Sequence, residues 1–148
     1  MIKKKLIKNA NKVDEFLIKY LKNQKKSLLV KPMKYGVISG GKKIRSTIIF
    51  DTGKLFKISE KKLINICAAV ECIHSYSLIH DDLPCMDNDL TRRGKPSTHV
   101  KFGEASAVLA GSSLLTLAFE IVTDKKYSLN SVMKNEIVRS LANCSGHT

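Results

Sequence analysis

Apolar residues recur along most of this chain with the period of a helix, about 3.6 residues, and not with the period of two that marks a strand. Residues 11–22 place Val13, Phe16, Leu17, Tyr20 and Leu21 at helical spacing, with lysines, Asp14 and Glu15 opposite. A loop is expected around Lys31-Pro32, then a turn at Gly40-Gly41 and a helix from about Lys42 to Phe56. Ser59 suits the N-cap of a helix over residues 60–80, because its hydroxyl can accept from an unpaired amide of the first turn. Within it, LINICAAVECIHSYSLIH (63–80) is apolar with small residues and no Gly or Pro, the mark of a buried helix. Residues 83–98 contain Pro84, Gly94 and Pro96 and read as a loop; helices near 103–123 and 131–144 follow. No repeat, low-complexity linker or hairpin signal stands out. The expected fold class is all-α.

The chemistry concentrates in residues 71–102, ECIHSYSLIHDDLPCMDNDLTRRGKPSTHVKF. Asp81, Asp82, Asp87 and Asp89 fall close together and are followed by Arg92 and Arg93. Carboxylates this dense repel one another unless a hard cation such as Mg²⁺ lies between them. An arginine pair beside them is a second means of holding phosphate, since guanidinium grips it bidentately. A solvated acidic loop is the bland alternative. Spacing favours a site: at about 100° per residue, Cys67, Val70, His74, Ser77 and Asp81 share one stripe. His74 and Asp81 then lie roughly 10 Å apart along it. Pro84 must kink or end the helix, and the irregular segment after it can turn Asp87 back toward Asp81.

Three segments together resemble the trans-prenyl diphosphate synthases. Asp81–Asp87, DDLPCMD, flanked by ECIHSYSLIH and RRGKPS, is similar to that family's first aspartate-rich motif, in the form typical of bacterial farnesyl and plant-type geranylgeranyl enzymes. Gly40-Gly41-Lys42-Lys43-Ile44-Arg45 resembles its GGKRxR segment, and HVKFGEASAVLAGSSLLTLAFEIV (99–122) the helix that follows the first motif.

The resemblance implies a fold, a reaction and a set of roles. The fold would be the N-terminal part of an isoprenoid-synthase helical bundle, with residues 1–148 an incomplete domain whose second half, carrying a second aspartate-rich motif, is absent. The activity would be head-to-tail condensation of isopentenyl diphosphate with dimethylallyl or geranyl diphosphate to farnesyl diphosphate. Lys42, Arg45, His74 and Arg93 would hold the isopentenyl diphosphate, and Arg92 the allylic one. Asp81, Asp82 and Asp87 would be catalytic through Mg²⁺ bridged to the allylic diphosphate. Tyr76 and Ser77, five and four positions before Asp81, would form the floor that sets product length, and the bulk of Tyr76 points to fifteen carbons. The complete enzyme would be a homodimer; the chain alone is expected to be inactive. A geranylgeranyl diphosphate synthase and a non-catalytic relic or partner subunit are the alternatives. More remote is an HD-type metal phosphohydrolase built on His74 and His80-Asp81, which leaves GGKKIR and RRGKPS unexplained. Two positions depart from the family pattern: Leu90 stands where an acid is common, and Ser112 follows Ala110-Gly111 where Asp is usual.

Composition removes competing classes. The formal charge is +13, but only four of the 26 basic residues are arginine, and three of those sit in the motifs. The lysines are scattered, Trp is absent and aromatics are few, so no stacking platform for single-stranded nucleic acid is expected. Cys67, Cys72, Cys85 and Cys144 show neither a CxxC pair nor metal-ligand spacing, which suits a reducing cytoplasm. The basic start MIKKKLIKNANKVDEF lacks an apolar core behind it, so no secretory signal is expected. Residues 105–122 carry Gly111, serines, Thr116 and Glu120, and read as a core helix, not a membrane span.

Overall fold

The computed structural model describes residues 2–24, 27–127 and 129–146. Each amphipathic segment forms a helix and buries its apolar stripe against another. The elements are α1 (Ile2–Lys22), α2 (Val30–Val37), α3 (Ile44–Leu55), α4 (Glu60–Asp81), α5 (Thr98–Phe102), α6 (Glu104–Thr123) and α7 (Ser131–Ser145). Between α4 and α5 lies a ladder of two residues on each side, β1 (Thr91–Arg92) and β2 (Lys95–Pro96), antiparallel with Arg92 opposite Lys95.

The fold is all-α as expected, and α4 packed on α6 is its most extensive contact. The buried positions of α6 are Ala107, Ala110, Gly111, Leu114, Leu117, Ala118, Ile121 and Val122, steps of three and four that make one continuous stripe. Facing helices bring Ala68, Ala69 and Cys72 of α4 to full burial, and such small side chains allow the backbones to approach closely. Val13, Leu17 and Leu21 of α1 are buried in the same core. Each large one contributes about 1.5–3 kcal/mol relative to exposure. Both α4 and α6 are long and apolar enough to cross a membrane by length and composition, yet here they form the centre of the bundle. Burial pushes the Cys67 and Cys72 thiols up to about 12, so both behave as apolar side chains.

Several boundaries differ from expectation. Helix α1 starts at Ile2, not near residue 11, because its lysine-rich first turns are helix formers that bury little. The loop expected at Lys31-Pro32 is instead the first turn of α2, where the missing amide of Pro32 has no intrahelical partner to lose. Helix α3 begins at Ile44, so Lys42 lies ahead of it and does not share a helix face with Arg45. Helix α6 runs where the helix near 103–123 is expected, and a further short helix, α5, precedes it across Gly103. Ser59 occupies the N-cap of α4 but makes no side-chain cap bond. The hairpin at 91–96 was not expected. Its two central residues, Arg93 and Gly94, both take positive φ (55° and 74°), as a type I′ turn requires.

Candidate functional site

The carboxylates gather where α4 ends. Asp81 is its last residue and Asp82 its C-cap; beyond Pro84, which has no amide to give, the chain folds back. The Asp87 amide donates to the Asp81 carbonyl at 2.8 Å, and the Asn88 amide to the Leu83 carbonyl at 3.0 Å. The backbones of Asp81 and Asp87 are therefore brought together at the turn that ends α4, the carboxylate mouth, with Asp81 half-buried and Asp87 exposed. Asp82 turns inward, at 2 % exposure, and is gripped by Arg92. The Arg92 Nε donates to Oδ1 at 2.7 Å and to Oδ2 at 2.9 Å, and Nη2 closes the fork on Oδ1. Nη2 also reaches Oδ2 of the exposed Asp89 at 3.3 Å, which makes Asp89 a second ion-pair partner. These bonds, chiefly the one to Asp82, raise the Arg92 pKa above its ordinary value.

Arg93, next in sequence, serves the other side of the hairpin. Its Nη1 donates to the Gly40 carbonyl and to Ser39 Oγ, the latter at 3.3 Å. Gly41 lies flat against the guanidinium. A Cβ there would fall 2.6 Å from Arg93 Cζ and push the guanidinium aside, and φ is +102°, a backbone conformation that favours glycine. The two distant motifs thus meet in one clasp. Lys42 and Arg45 are exposed just beyond it. His74, half-buried on α4, has its pKa lowered by burial first and then by Arg45, Arg93 and Lys43, against an opposing pull from Glu71. Arg45, His74 and Arg93 thus share one electrostatic neighbourhood, and an anion placed among them gains charge-assisted hydrogen bonds.

Tyr76 and Ser77 lie on α4 between the two groups. Ser77 Oγ donates to the His74 carbonyl at 2.9 Å. The Tyr76 ring packs edge-on against His80, with centroids 4.7 Å apart. His80 bonds the Val108 carbonyl of α6 at 3.1 Å and occupies space that a side chain at Gly111 would need. It is a packing residue, which removes the His-Asp pair that an HD-type hydrolase requires.

Does the mouth suit a metal? Its donors are carboxylate oxygens, the ligands Mg²⁺ prefers, and the exposed Cys85 between them is too soft for that ion. Among the described residues no three His, Cys, Asp or Glu side chains form a closed metal cluster. An open mouth with two free carboxylates fits an ion that is completed by a bound phosphate, as Mg²⁺ usually is. Lys43 and Ser39 are the residues that sequence reasoning missed, together with the pairing of Asp89 to Arg92. The signal for Lys43 was its neighbour: adjacent lysines leading into a helix cannot both face the same way.

Residues 26–146 match the polyprenyl synthetase family. The farnesyl diphosphate synthase of Buchnera aphidicola subsp. Acyrthosiphon pisum is 56 % identical over 110 residues, 74 % of this chain and 37 % of the relative. That of Escherichia coli is 49 % identical over 119 residues, 80 % of this chain and 40 % of the relative. A solved FPP/GFPP synthase from Zymomonas mobilis superposes with a TM-score of 0.90 at 40 % identity, covering 95 % of this chain and 51 % of that one. The chain spans well under half the length of these curated relatives.

Proposed function

This chain belongs to the polyprenyl synthetase family, and on that premise we propose that it supplies the diphosphate-binding half of a farnesyl diphosphate synthase. The supporting observation is the hairpin at 91–96, which directs Arg93 to the Gly40–Gly41 segment and Arg92 to the carboxylate mouth. Two separate phosphate-binding regions suit a reaction that joins two diphosphates. Lys42, Arg45, His74 and Arg93 would bind isopentenyl diphosphate. Asp81 and Asp87 would hold Mg²⁺ with the allylic diphosphate, while Asp82 keeps Arg92 placed beside that diphosphate and joins the metal set if Arg92 swings onto phosphate. When bound, Mg²⁺ would supply positive charge to the departing pyrophosphate. Arg92 adds charge at the same leaving group, an effect strongest where it is already in position before the bond breaks. The apolar side of α4 around Tyr76 would receive the growing chain and exclude water from the allylic cation. The proposed setting is the cytoplasm. A second copy would fit α6, which leaves Val108 and Leu109 exposed.

The farnesyl assignment is favoured over geranylgeranyl by Tyr76, whose ring is held by His80 and cannot easily withdraw. Prenyl transfer tests the whole reading. Residues 1–146 joined to the remaining part of the Escherichia coli relative should convert labelled isopentenyl and dimethylallyl diphosphates with Mg²⁺ to a fifteen-carbon product. A folded chimera that transfers no label, while the intact relative does, would refute it.

A further inference from the structure

In Gly40-Gly41-Lys42-Lys43 only the second lysine is buried, at 6 % exposure. Its backbone is left-handed, φ 41° and ψ 54°, a conformation that a residue with a Cβ holds only when its surroundings enforce it. The enforcement is visible. Lys43 Nζ donates to the Val37 carbonyl at 3.1 Å, at the end of α2, and pairs at 3.1 Å with Oδ1 of Asp14 on α1. A buried ammonium is tolerated only with such partners, so both elements hold the segment from behind. Arg93 holds it from the front through Gly40 and Ser39. Lys43 also contributes to lowering the His74 pKa, which puts its charge within reach of the cationic group.

We propose that Lys43 and Asp14 form a latch that fixes the Gly40–Lys42 backbone, so that Lys42 and Arg45 face His74 and Arg93. They are positioning residues for diphosphate binding and do not touch the anion. The inference deepens the anion-site reading above and rests on it for its consequence, but the latch itself is a statement about backbone order.

The experiment uses the 148-residue chain, inorganic pyrophosphate as the probe, and the variant Asp14→Leu/Lys43→Met. Replacing both partners of a buried pair by apolar groups of similar size is often neutral for folding, whereas removing one strands the other. Nitrogen-15 relaxation reports the order of Gly40, Gly41 and Lys42, a proton titration reports His74, and calorimetry reports pyrophosphate. In the folded double variant we expect Gly40–Lys42 to lose order, His74 to protonate at higher pH, and pyrophosphate to bind about tenfold more weakly, the size of one charge-assisted contact. Loss of the Lys43 charge raises the His74 pKa by itself, so unchanged order of Gly40–Lys42 overturns the latch, whatever His74 and the binding do. If wild type fails to bind pyrophosphate while the variant loses order, the latch stands and the anion-site reading falls. Should the double variant not fold, Asp14→Asn leaves the Lys43–Val37 bond in place, and the order of Gly40–Lys42 decides: loss of order supports the latch and unchanged order overturns it.

Discussion

Gly41→Ala separates backbone demand from the clasp. Both Gly40 and Gly41 sit at positive φ, +87° and +102°, but a Cβ at Gly40 meets nothing within 4 Å. At Gly41 it meets Arg93 Cζ at 2.6 Å, Nη1 at 2.7 Å and Nη2 at 3.0 Å. The backbone cost, about 1–3 kcal/mol, is therefore common to both alanine variants. The clash falls on the far end of an exposed arginine, which can swing aside at small cost to folding. Swinging aside removes its bonds to Gly40 and Ser39 and withdraws one oriented cation from the proposed anion site. A charged hydrogen bond contributes about 1.5–3 kcal/mol; exposure reduces that to about 1 kcal/mol, or roughly fivefold in affinity. Thermal unfolding and pyrophosphate calorimetry on Gly40→Ala, Gly41→Ala, Arg93→Ala and the Gly41→Ala/Arg93→Ala double variant make a complete cycle. The two glycine variants should lose similar stability, Gly41→Ala alone should lose the extra affinity, and Arg93→Ala should abolish the difference. Equal affinity loss in both glycine variants, or additive losses in the double variant, would show that the clasp does not organise the site.

Because His74 is held below its ordinary value of 6.5 in the folded state, its contribution to stability is complete above that pH and is lost as pH falls through the window beneath it. His74→Gln should flatten the stability profile there, and a His74 resonance titrating at or above 6.5 would contradict the combined effect of burial and the cationic surroundings. Arg92→Ala leaves the Asp82 carboxylate buried without its partner and should lower stability by about 2 kcal/mol in urea unfolding, less than a fully buried pair because Arg92 is 30 % exposed; Asp82→Asn with Arg92→Ala should recover most of it. In the chimera, Tyr76→Ala should lengthen the product beyond fifteen carbons by chromatography. A product that stays at fifteen means that Tyr76 is not the floor.

Periodicity made the helices legible, and α4, α6 and α7 run almost where the pattern places them. It failed where a rule of position overrides a residue's usual preference. Pro32 reads as a breaker, yet the first turn of a helix has no bond for it to remove. The hairpin escaped because its turn opens with Arg93, not the Asn or Asp that signals positive φ; Gly94 was the available cue. Proximity of the motifs in sequence could suggest one site but not its internal pairing. That Asp82 faces Arg92 while Asp81 and Asp87 face outward depends on how the helix ends, and Lys43 is distinguished from Lys42 by its partners on two other helices, Asp14 of α1 and the Val37 carbonyl of α2. Composition carries no trace of either.

In the proposed site Asp81 and Asp87 bind a metal jointly with an allylic diphosphate. Calorimetric titration of the chain with dimethylallyl thiolodiphosphate, a non-ionising analogue, tests it with Mg²⁺ or with a chelator present. Binding should be about tenfold or more tighter with Mg²⁺, and that difference should be lost in Asp81→Ala/Asp87→Ala while the metal-free affinity persists. Equal affinity in both conditions, or a Mg²⁺ effect that survives the double substitution, would contradict it.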